Sequence, residues 1–287
     1  VLNRAIVAAG GPANCLVAVN EATLDVVNAA CRHPLVAMVT AAGGPGVVKA
    51  ALSCGKKAVA AGAANPPVVV DETADIAQAA KDILRGSWFD NNVLCIGEKT
   101  VFAVGSVMAQ LTREMQKHGA YLLTATEAER VTQLIIKDGH IVGDWVGKDG
   151  AVILKAAGIN SPPGTEGAIM AVAYDHPLVK IEQMMPVLPI VTVDDFSQGL
   201  RLALECEQDF GHTAIIHSRD VERISLFTRT MQTTIVVANG PSFASLGIEG
   251  AANFAHTIAS PTGEGICGPR TFTRQQNLTM AGGLTFA

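Results

Sequence analysis

Short apolar runs alternate with helix-forming segments along the first 85 residues. The runs CLVAV (15–19), LVAMVT (35–40) and KAVAA (57–61) predict buried strands, and TLDVVNAACR (23–32) predicts a helix between the first two. A second short helix follows the GGPG turn and stops at Gly55. Apolar runs that are bounded by glycine and separated by helices are typical of parallel βαβ units. This part of the chain therefore predicts half of a doubly wound sheet.

A second alternating block lies between residues 168 and 239. Strands are predicted at AIMAVA (168–173), VLPIVTV (187–193), HTAIIHS (212–218) and TTIVVAN (233–239). Helices are predicted near 195–206 and 221–231, between the later strands. The residues from Ser242 onward are rich in glycine and predict loops with one terminal strand. The chain is thus expected to form two α/β lobes.

Three helices are predicted between the two blocks. The first spans 73–84 with Gly86 as its terminator, because apolar residues recur on one face. The second spans 106–119, and a capping box of Thr126 and Glu129 begins the third. The region from 138 to 166 is rich in glycine and proline and predicts a looser connection.

Composition narrows the class of protein. Of the 287 residues, 49% are hydrophobic and 16% are charged, which suffices for a large core. The formal net charge of −5 argues against nucleic acid as the main partner. No apolar run approaches the ~18–20 residues of a membrane-spanning helix, and the N-terminal stretch lacks the pattern of a signal peptide. We therefore expect a cytoplasmic protein with neither a membrane nor a nucleic acid as partner.

Six cysteines are scattered at positions 15, 31, 54, 95, 206 and 267 without CxxC spacing. This arrangement suggests neither a zinc site nor a disulfide framework, so no metal is expected. Residue type alone favours reduced, buried thiols, because free cysteine is among the most buried residue types. Cys95 stands apart from the others because it lies just beyond the junction of the two lobes, where ligand sites are frequent.

The surroundings of Cys95 in the sequence allow two readings. A thiolate is a good nucleophile toward a carbonyl, and the amide of Asn92 could donate a hydrogen bond to a developing oxyanion. His212 stands where a predicted strand begins, which makes it a second candidate site-lining residue beside Asn92. A structural thiol and a strand-edge histidine are the simpler readings, and residue type alone favours them.

Two further features could bind a cofactor. Gly43 and Gly44 lie between a strand and a helix, where backbone N–H groups can approach a phosphate. The turn lacks the full GxGxxG pattern, however, and glycine is common in tight βα turns. Glu182 precedes a predicted strand, where a solvated surface carboxylate is the default reading.

Several segments together resemble one family along the whole chain. They are RAIVAAGGPAN, GGPGVVKAALSCGKKAVAAGAANPPVVVDETADI, FDNNVLCIGEK, EQMMPVLPIV, HTAIIHS, NGPSF and SPTGEGICGPRTFTR, in the family's order. The chain resembles the aldehyde dehydrogenase superfamily, and within it the CoA-acylating acetaldehyde and propionaldehyde dehydrogenases of ethanolamine and propanediol breakdown. The resemblance implies an α/β fold with part of a doubly wound cofactor-binding sheet and an α/β catalytic lobe.

The resemblance also implies a division of the chain. Residues 1–63 correspond to the C-terminal half of the NAD-binding domain, and 64–258 correspond to the catalytic domain. Residues 259–287 correspond to a return segment and a C-terminal tail with a candidate role in oligomerisation. A homo-oligomer is expected, and encapsulation in the shell of a bacterial microcompartment is expected by analogy.

Roles follow for four residues. Cys95 matches the family's nucleophile, Gly43 and Gly44 match the turn that approaches the cofactor's pyrophosphate, and Glu182 matches the glutamate that holds the nicotinamide ribose. The implied cofactor is NAD or NADP, with coenzyme A as co-substrate and a small aldehyde as substrate. The implied reaction is the reversible oxidation of a short-chain aldehyde to acyl-CoA through a thioester on the cysteine.

Position 61 separates two branches of the superfamily. Hydrolytic aldehyde dehydrogenases carry a glutamate that activates water, and the resemblance places Ala61 at its position. Without that base water attacks the acyl-enzyme slowly, which leaves the thiol of CoA as the better nucleophile. A hydrolytic aldehyde dehydrogenase remains an alternative if another base lies near Cys95.

The family's enzymes are longer than this chain. The resemblance places the first part of the cofactor domain, and an asparagine that helps to bind the oxyanion, upstream of Val1. We therefore expect this sequence to be the C-terminal portion of an enzyme. A truncated α/β module without catalytic activity is the alternative from a different class.

Overall fold

The computed structural model describes residues 1–250 and 254–283. Its helices are α1 (Leu2–Ala8), α2 (Leu24–Arg32), α3 (Pro45–Leu52), α4 (Ile76–Trp88), α5 (Gly105–Lys117), α6 (Ala125–Ile135), α7 (Gly150–Ala156), α8 (Pro177–Lys180), α9 (Phe196–Glu207) and α10 (Val221–Met231). Its strands are β1 (Met38–Ala42), β2 (Lys57–Ala61), β3 (Pro67–Val70), β4 (Thr100–Val104), β5 (Ala120–Leu122), β6 (Ile136–Lys137), β7 (His140–Ile141), β8 (Gly167–Val172), β9 (Val187–Val193), β10 (Thr213–His217), β11 (Ile235–Ala238), β12 (Ile258–Ala259) and β13 (Gly265–Ile266).

Seven parallel strands form the main sheet in the order β11-β10-β3-β4-β9-β8-β5. Every residue of β3 and β4 is buried, as expected for central strands whose two faces are both covered. The register sets Val68 beside Val101, and Val101 beside Ile190, so branched apolar side chains fill the middle of the core. The prediction of a second α/β lobe is confirmed.

A smaller sheet precedes the main one. Strands β1 and β2 pair in parallel, and α3 crosses between them, which confirms a βαβ unit in the first part of the chain. The hairpin of β12 and β13 packs against this unit, where the Ser260 N–H donates to the carbonyl of Ala60 at 3.1 Å. Residues 62–66 then join the carboxyl end of β2 directly to the amino end of β3.

Most predicted elements are present. Strands β2 and β9 and helix α10 have the predicted bounds, and α2 and α9 begin one residue late, because Thr23 and Asp195 serve as N-caps. The Asp195 carboxylate accepts a hydrogen bond from the Gln198 N–H at 2.8 Å. The connection between 138 and 166 contains an α-helix that the sequence did not predict, α7, and the central strands β3 and β4 were not predicted either.

The strand prediction for residues 15–19 is wrong. The segment is an irregular loop with bends at residues 15 and 16, it does not pair with the described strands, and Val17 is 84% exposed. Within the described residues β1 pairs only with β2, so CLVAV has no neighbouring ladder that could make it a strand. An apolar run becomes a strand only where another strand satisfies its backbone groups.

Two helix ends also differ from their predictions. The capping box of α6 is formed by Thr124 and Glu127, so the assignment to Thr126 and Glu129 is wrong. Helix α4 does not end at Gly86 but continues to Trp88. A Cβ at Gly86 would lie 2.2 Å from both carboxylate oxygens of Glu98, so this glycine permits close packing inside the helix instead of terminating it.

The expectation of buried thiols holds for only part of the cysteines other than Cys95. Cys206 and Cys267 are buried, Cys31 and Cys54 are half-buried, and Cys15 is exposed. All are free thiols. Among residues 1–250 and 254–283, no helix is long and apolar enough to cross a bilayer. The same residues show no cluster of three or more His, Cys, Asp or Glu side chains suited to a metal ion.

Candidate active site

The candidate site lies at the amino-terminal edge of the main sheet. Cys95 stands in the loop before β4, Glu182 before β9 and His212 before β10. Because parallel strands share their amino edge, residues far apart in sequence meet there. The residues that close the small sheet, Gly43 after β1 and Ala61 at the end of β2, adjoin this edge through the 62–66 connection.

The loop that carries Cys95 begins with a left-handed turn. Asp90, Asn91 and Asn92 have φ angles of +50°, +50° and +64°. Asp and Asn tolerate this region better than other residues with a Cβ, which explains why the sequence reads DNN directly before the cysteine loop. Consecutive strained residues of this kind concentrate at functional sites.

Asn92 shapes this turn from within the protein. It is fully buried, and its Nδ2 donates to the carbonyls of Ser87 (2.6 Å) and Glu98 (3.1 Å). Its Oδ1 accepts from Lys99 Nζ at 2.6 Å. The amide is thus committed to the loop, and the structure does not place Asn92 as an oxyanion donor that lines the cleft.

Lys99 lies directly behind the cysteine loop. Its side chain is fully buried, and Nζ donates to the Asn92 carbonyl (2.7 Å), to Asn92 Oδ1 and to the Leu94 carbonyl (3.3 Å). Glu182 Oε1 lies 3.9 Å from the same nitrogen. Burial lowers the pKa of Lys99 to about 8, although the charges of Glu182, Cys95 and Glu98 act in the opposite direction.

Cys95 is half-buried, and two opposite charges act on its thiol. Burial raises its pKa above the ordinary value, Glu182 raises it further, and Lys99 lowers it. The balance favours the protonated thiol, so the thiolate population depends on how strongly each neighbour acts. The structure therefore couples the charges of three side chains, those of Cys95, Glu182 and Lys99.

Glu182 is not the solvated surface carboxylate that its sequence position suggests. Its side chain is 22% exposed, and burial raises its pKa, while Lys99 and a backbone hydrogen bond from Ala64 lower it. The neighbouring Gln183 anchors the segment, since its Nε2 donates to the carbonyls of Lys99 (2.9 Å) and Val187 (3.0 Å). Glu182 is thus held at the edge of the cleft.

His212 is fully buried at the start of β10. Its Nδ1 pairs with Thr213 Oγ1 at 2.8 Å, and its Nε2 has no hydrogen-bond partner among the described residues. Burial, with a contribution from the charge of Lys99, lowers its pKa to about 4. The ring is therefore neutral at pH 7 and lies within the electrostatic reach of Lys99.

The turn at Gly43 and Gly44 fits a nucleotide phosphate. The Gly43 N–H donates to the Ala61 carbonyl at 3.1 Å, and Gly44 caps α3 without a side chain. A Cβ at Gly44 or Gly46 would meet no atom within 4 Å, so the helix N-terminus is open to close approach. A cavity of about 490 Å³ adjoins it, lined in part by Val48 and Leu52 of α3. Open N–H groups beside an apolar cavity suit a dinucleotide.

Sequence reasoning missed Lys99 and Gln183. Both are polar residues that directly precede or follow apolar runs and become fully buried at the sheet edge. The signal was available in CIGEKTVFAV, where two charges stand between Cys95 and a strand buried on both faces. Such charges must be paired or bonded inside the protein.

The fold and this site define an α/β protein with a candidate thiol nucleophile beside a nucleotide-type βα turn. The chain belongs to the aldehyde dehydrogenase family, whose model matches residues 1–250. It is 42% identical to the CoA-propanoylating propanal dehydrogenase of Citrobacter freundii over 276 residues, which are 96% of this chain and 60% of that protein.

Solved structures agree with this assignment. The propionaldehyde dehydrogenase of Rhodopseudomonas palustris, with bound CoA and an acylated cysteine, matches with a TM-score of 0.92 and 42% identity over 95% of this chain and 63% of that one. A propionaldehyde dehydrogenase from the fucose utilisation microcompartment of Clostridium phytofermentans matches with a TM-score of 0.92 and 41% identity, with the same coverage. The chain spans about three fifths of the length of these relatives.

Proposed function

We propose that this chain forms the catalytic portion of a CoA-acylating aldehyde dehydrogenase. It would oxidise a short-chain aldehyde to acyl-CoA, reversibly, with NAD or NADP as the hydride acceptor. The observation that carries the proposal is the half-exposed Cys95 on a loop fixed by the DNN turn and by the buried Lys99. The names of the relatives, which are acylating dehydrogenases, support the same reaction.

The proposed reaction begins at the thiol. Cys95 loses its proton, and its sulfur adds to the aldehyde carbon to give a hemithioacetal. A nicotinamide cofactor, when bound, accepts the hydride from that carbon. The turn at Gly43 and Gly44 would approach its pyrophosphate, with the backbone N–H of Gly44 as a donor, since the Gly43 N–H already donates to Ala61. Glu182 would bind its ribose hydroxyl groups. The product on the protein is a thioester on Cys95.

Coenzyme A would complete the reaction. Its thiol gives up a proton to solvent and the sulfur attacks the thioester carbon. The bond to Cys95 Sγ breaks, and acyl-CoA leaves with the thiolate of Cys95 restored. His212 is proposed to line this part of the site as a neutral ring. Asn92 contributes indirectly, because its amide holds the cysteine loop through Lys99 and Glu98.

The preference for CoA over water as the nucleophile that attacks the thioester rests on residue 61, at the end of β2. Ala61 occupies the position of the hydrolytic glutamate, and the preceding residue, Ala60, is also alanine, so a shift of one residue would change nothing. Both are buried. We expect Ala61→Glu to raise the yield of free acid relative to acyl-CoA, measured by chromatography of the products. An unchanged ratio in a folded variant would count against the role of the missing base.

The division of the chain is part of the same proposal. Residues 1–63 would supply the cofactor turn and 64–258 the nucleophile. Residues 259–287 would return to the cofactor sheet, of which 284–287 lie outside the described residues. We further propose a homo-oligomer, which light scattering tests, and an association with a microcompartment, in line with the C. phytofermentans relative.

Product analysis of the protein with Cys95→Ser tests the proposal. With propionaldehyde, NAD and CoA, the wild type should form propionyl-CoA and NADH, and Cys95→Ser should form neither while it stays folded. Cys31→Ser, a half-buried thiol on α2, is the matched control and should keep the activity. Equal acid formation with and without CoA would instead indicate a hydrolytic enzyme, and turnover by Cys95→Ser would refute the nucleophile.

A further inference from the structure

The hydrogen bonds of Lys99 tie its buried side chain to the backbone next to Cys95. Its nitrogen is surrounded by three carbonyl oxygens, two of Asn92 and one of Leu94, the residue before Cys95. An ammonium has three donor hydrogens and a neutral amine has two, so three acceptors match the charged form. The structure thus holds a fully buried cation directly against the backbone of the cysteine loop.

This cation donates no hydrogen bond to a carboxylate among the described residues. Glu182 approaches to 3.9 Å, beyond hydrogen-bond distance, from the cleft side. The carboxyl group of Glu98 is next in sequence, but it accepts from the Ser242 N–H (2.9 Å) and hydroxyl (2.8 Å). A buried charge held mainly by carbonyl dipoles is costly, and a neutral side chain could fill the same space.

The groups that face the thiol and the ammonium are therefore few. Glu182 and Lys99 act on Cys95 with opposite signs. Cys95, Glu182 and Glu98 act on Lys99, which in turn acts on the neutral His212. Strongly perturbed groups of this kind, assembled beside a cleft, are typical of functional sites.

We propose that Lys99 is a positioning residue that fixes the carbonyl groups before Cys95 and offsets the charge of Glu182 at the thiol. The inference rests on the proposed function, in which Cys95 is the nucleophile and Glu182 binds the cofactor. A carboxylate needed for the cofactor disfavours a thiolate beside it, and the buried ammonium counters this effect without entering the cleft. Lys99 touches neither the substrate nor the cofactor.

The test measures the thiol without substrates. Iodoacetamide reacts with the thiolate, so its rate at Cys95 against pH reports the apparent pKa of that thiol. The rate is measured by peptide mass spectrometry on the whole chain, with the Cys31 peptide of the same sample as internal control. Loss of an opposite charge close to an ionisable group shifts the pKa of that group by about one unit or more. Lys99→Met should therefore slow alkylation of Cys95 about tenfold at pH 7, below the pKa of Lys99, with Cys31 unaffected.

Glu182→Gln supplies the opposite arm. It removes the negative charge and leaves Lys99 and its carbonyl contacts in place, so alkylation of Cys95 at pH 7 should become several-fold faster. The Glu182→Gln variant still tests the proposal if Lys99→Met fails to fold. A folded Lys99→Met with the wild-type pH profile, or a Glu182→Gln profile that is unchanged, would overturn the proposal. Failure of the proposed reaction would be seen in a different measurement, as the absence of an acyl group on Cys95 after incubation with propionyl-CoA.

Discussion

The stretch DNNVLC shows how much of the site can be predicted from residue types alone. The sequence offered an amide donor for an oxyanion, and the structure uses Asn92 inside the protein, bonded to Ser87, Glu98 and Lys99. Asparagine suits both roles, because it donates hydrogen bonds and also accepts a left-handed backbone. Which role applies depends on Lys99 being buried behind the loop. That depends on the packing of the sheet edge, which no local pattern encodes.

Gly44→Ala separates cofactor binding from folding. A Cβ at Gly44 would meet no atom within 4 Å, so the free energy of unfolding should change by less than about 1 kcal/mol. A methyl group there would block the approach of a phosphate to the first turn of α3. We expect NAD binding, measured by calorimetry, to weaken at least tenfold.

Gly143→Ala is the matched control for Gly44→Ala, since its Cβ also meets open space and its φ is not left-handed. It should leave both stability and NAD affinity unchanged. Equal affinities for the wild type and Gly44→Ala would remove this turn from the cofactor site.

Glu98→Gln tests the burial of an acid beside the nucleophile loop. Burial raises the pKa of Glu98 from 4.5 to about 8, so between these values the folded chain holds a proton that the unfolded chain has lost. Its contribution to the free energy of unfolding therefore falls as the pH rises from about 4.5 to about 8. The variant has no such group, so it should gain stability relative to the wild type across this range, by at least about 1 kcal/mol.

Urea unfolding of both proteins at several pH values measures this difference. The neutral His212 and His217, whose pKa values burial lowers to about 4, titrate alike in both proteins and cancel. Parallel stability curves for the two proteins would show that Glu98 is ionised in the folded state.

At the scale of elements, periodicity predicted most helices and the strands β1, β2 and β8 to β11, but it did not predict the central strands β3 and β4. Both are short apolar runs buried on both faces, which show no alternation. Periodicity also failed where two local signals overlapped. The segment TATEAER contains two capping boxes two residues apart, and the structure uses the first. That choice places Ala128, Val131 and Ile135 of α6 in the core. The sequence contains both signals, and only the packing of α6 decides between them.

Thr124→Ala and Thr126→Ala test which of these caps is real. Thr124 accepts a hydrogen bond from the Glu127 N–H, and Glu127 bonds back to the Thr124 N–H at 2.9 Å. Loss of this N-cap should lower the free energy of unfolding by about 1 kcal/mol in urea unfolding. Thr126 is exposed inside the helix, so its replacement by alanine should be neutral or slightly stabilising. The reverse order of effects would contradict the observed cap.

For the whole molecule, the sequence predicted two α/β parts and one candidate nucleophile between them, and it could not predict which edges meet. Ligands usually bind at the carboxyl ends of parallel strands, and Gly43 follows the carboxyl end of β1. Cys95, Glu182 and His212 instead precede strands of the main sheet and share its amino edge. The turn at Gly43 adjoins that edge because residues 62–66 join β2 to β3. Hydrophobic periodicity within one sheet cannot predict how two sheets are joined.

The central claim is that Cys95 carries the acyl group. The reverse half-reaction tests it most directly, because acyl transfer from propionyl-CoA to the thiol needs neither aldehyde nor NAD. Intact-mass spectrometry of the chain after incubation with propionyl-CoA should show the gain of one propionyl group, located on the Cys95 peptide and released by added CoA. Cys95→Ser should gain none, and Cys31→Ser should gain one. An unmodified wild type, or a propionyl group on another cysteine, would contradict the account.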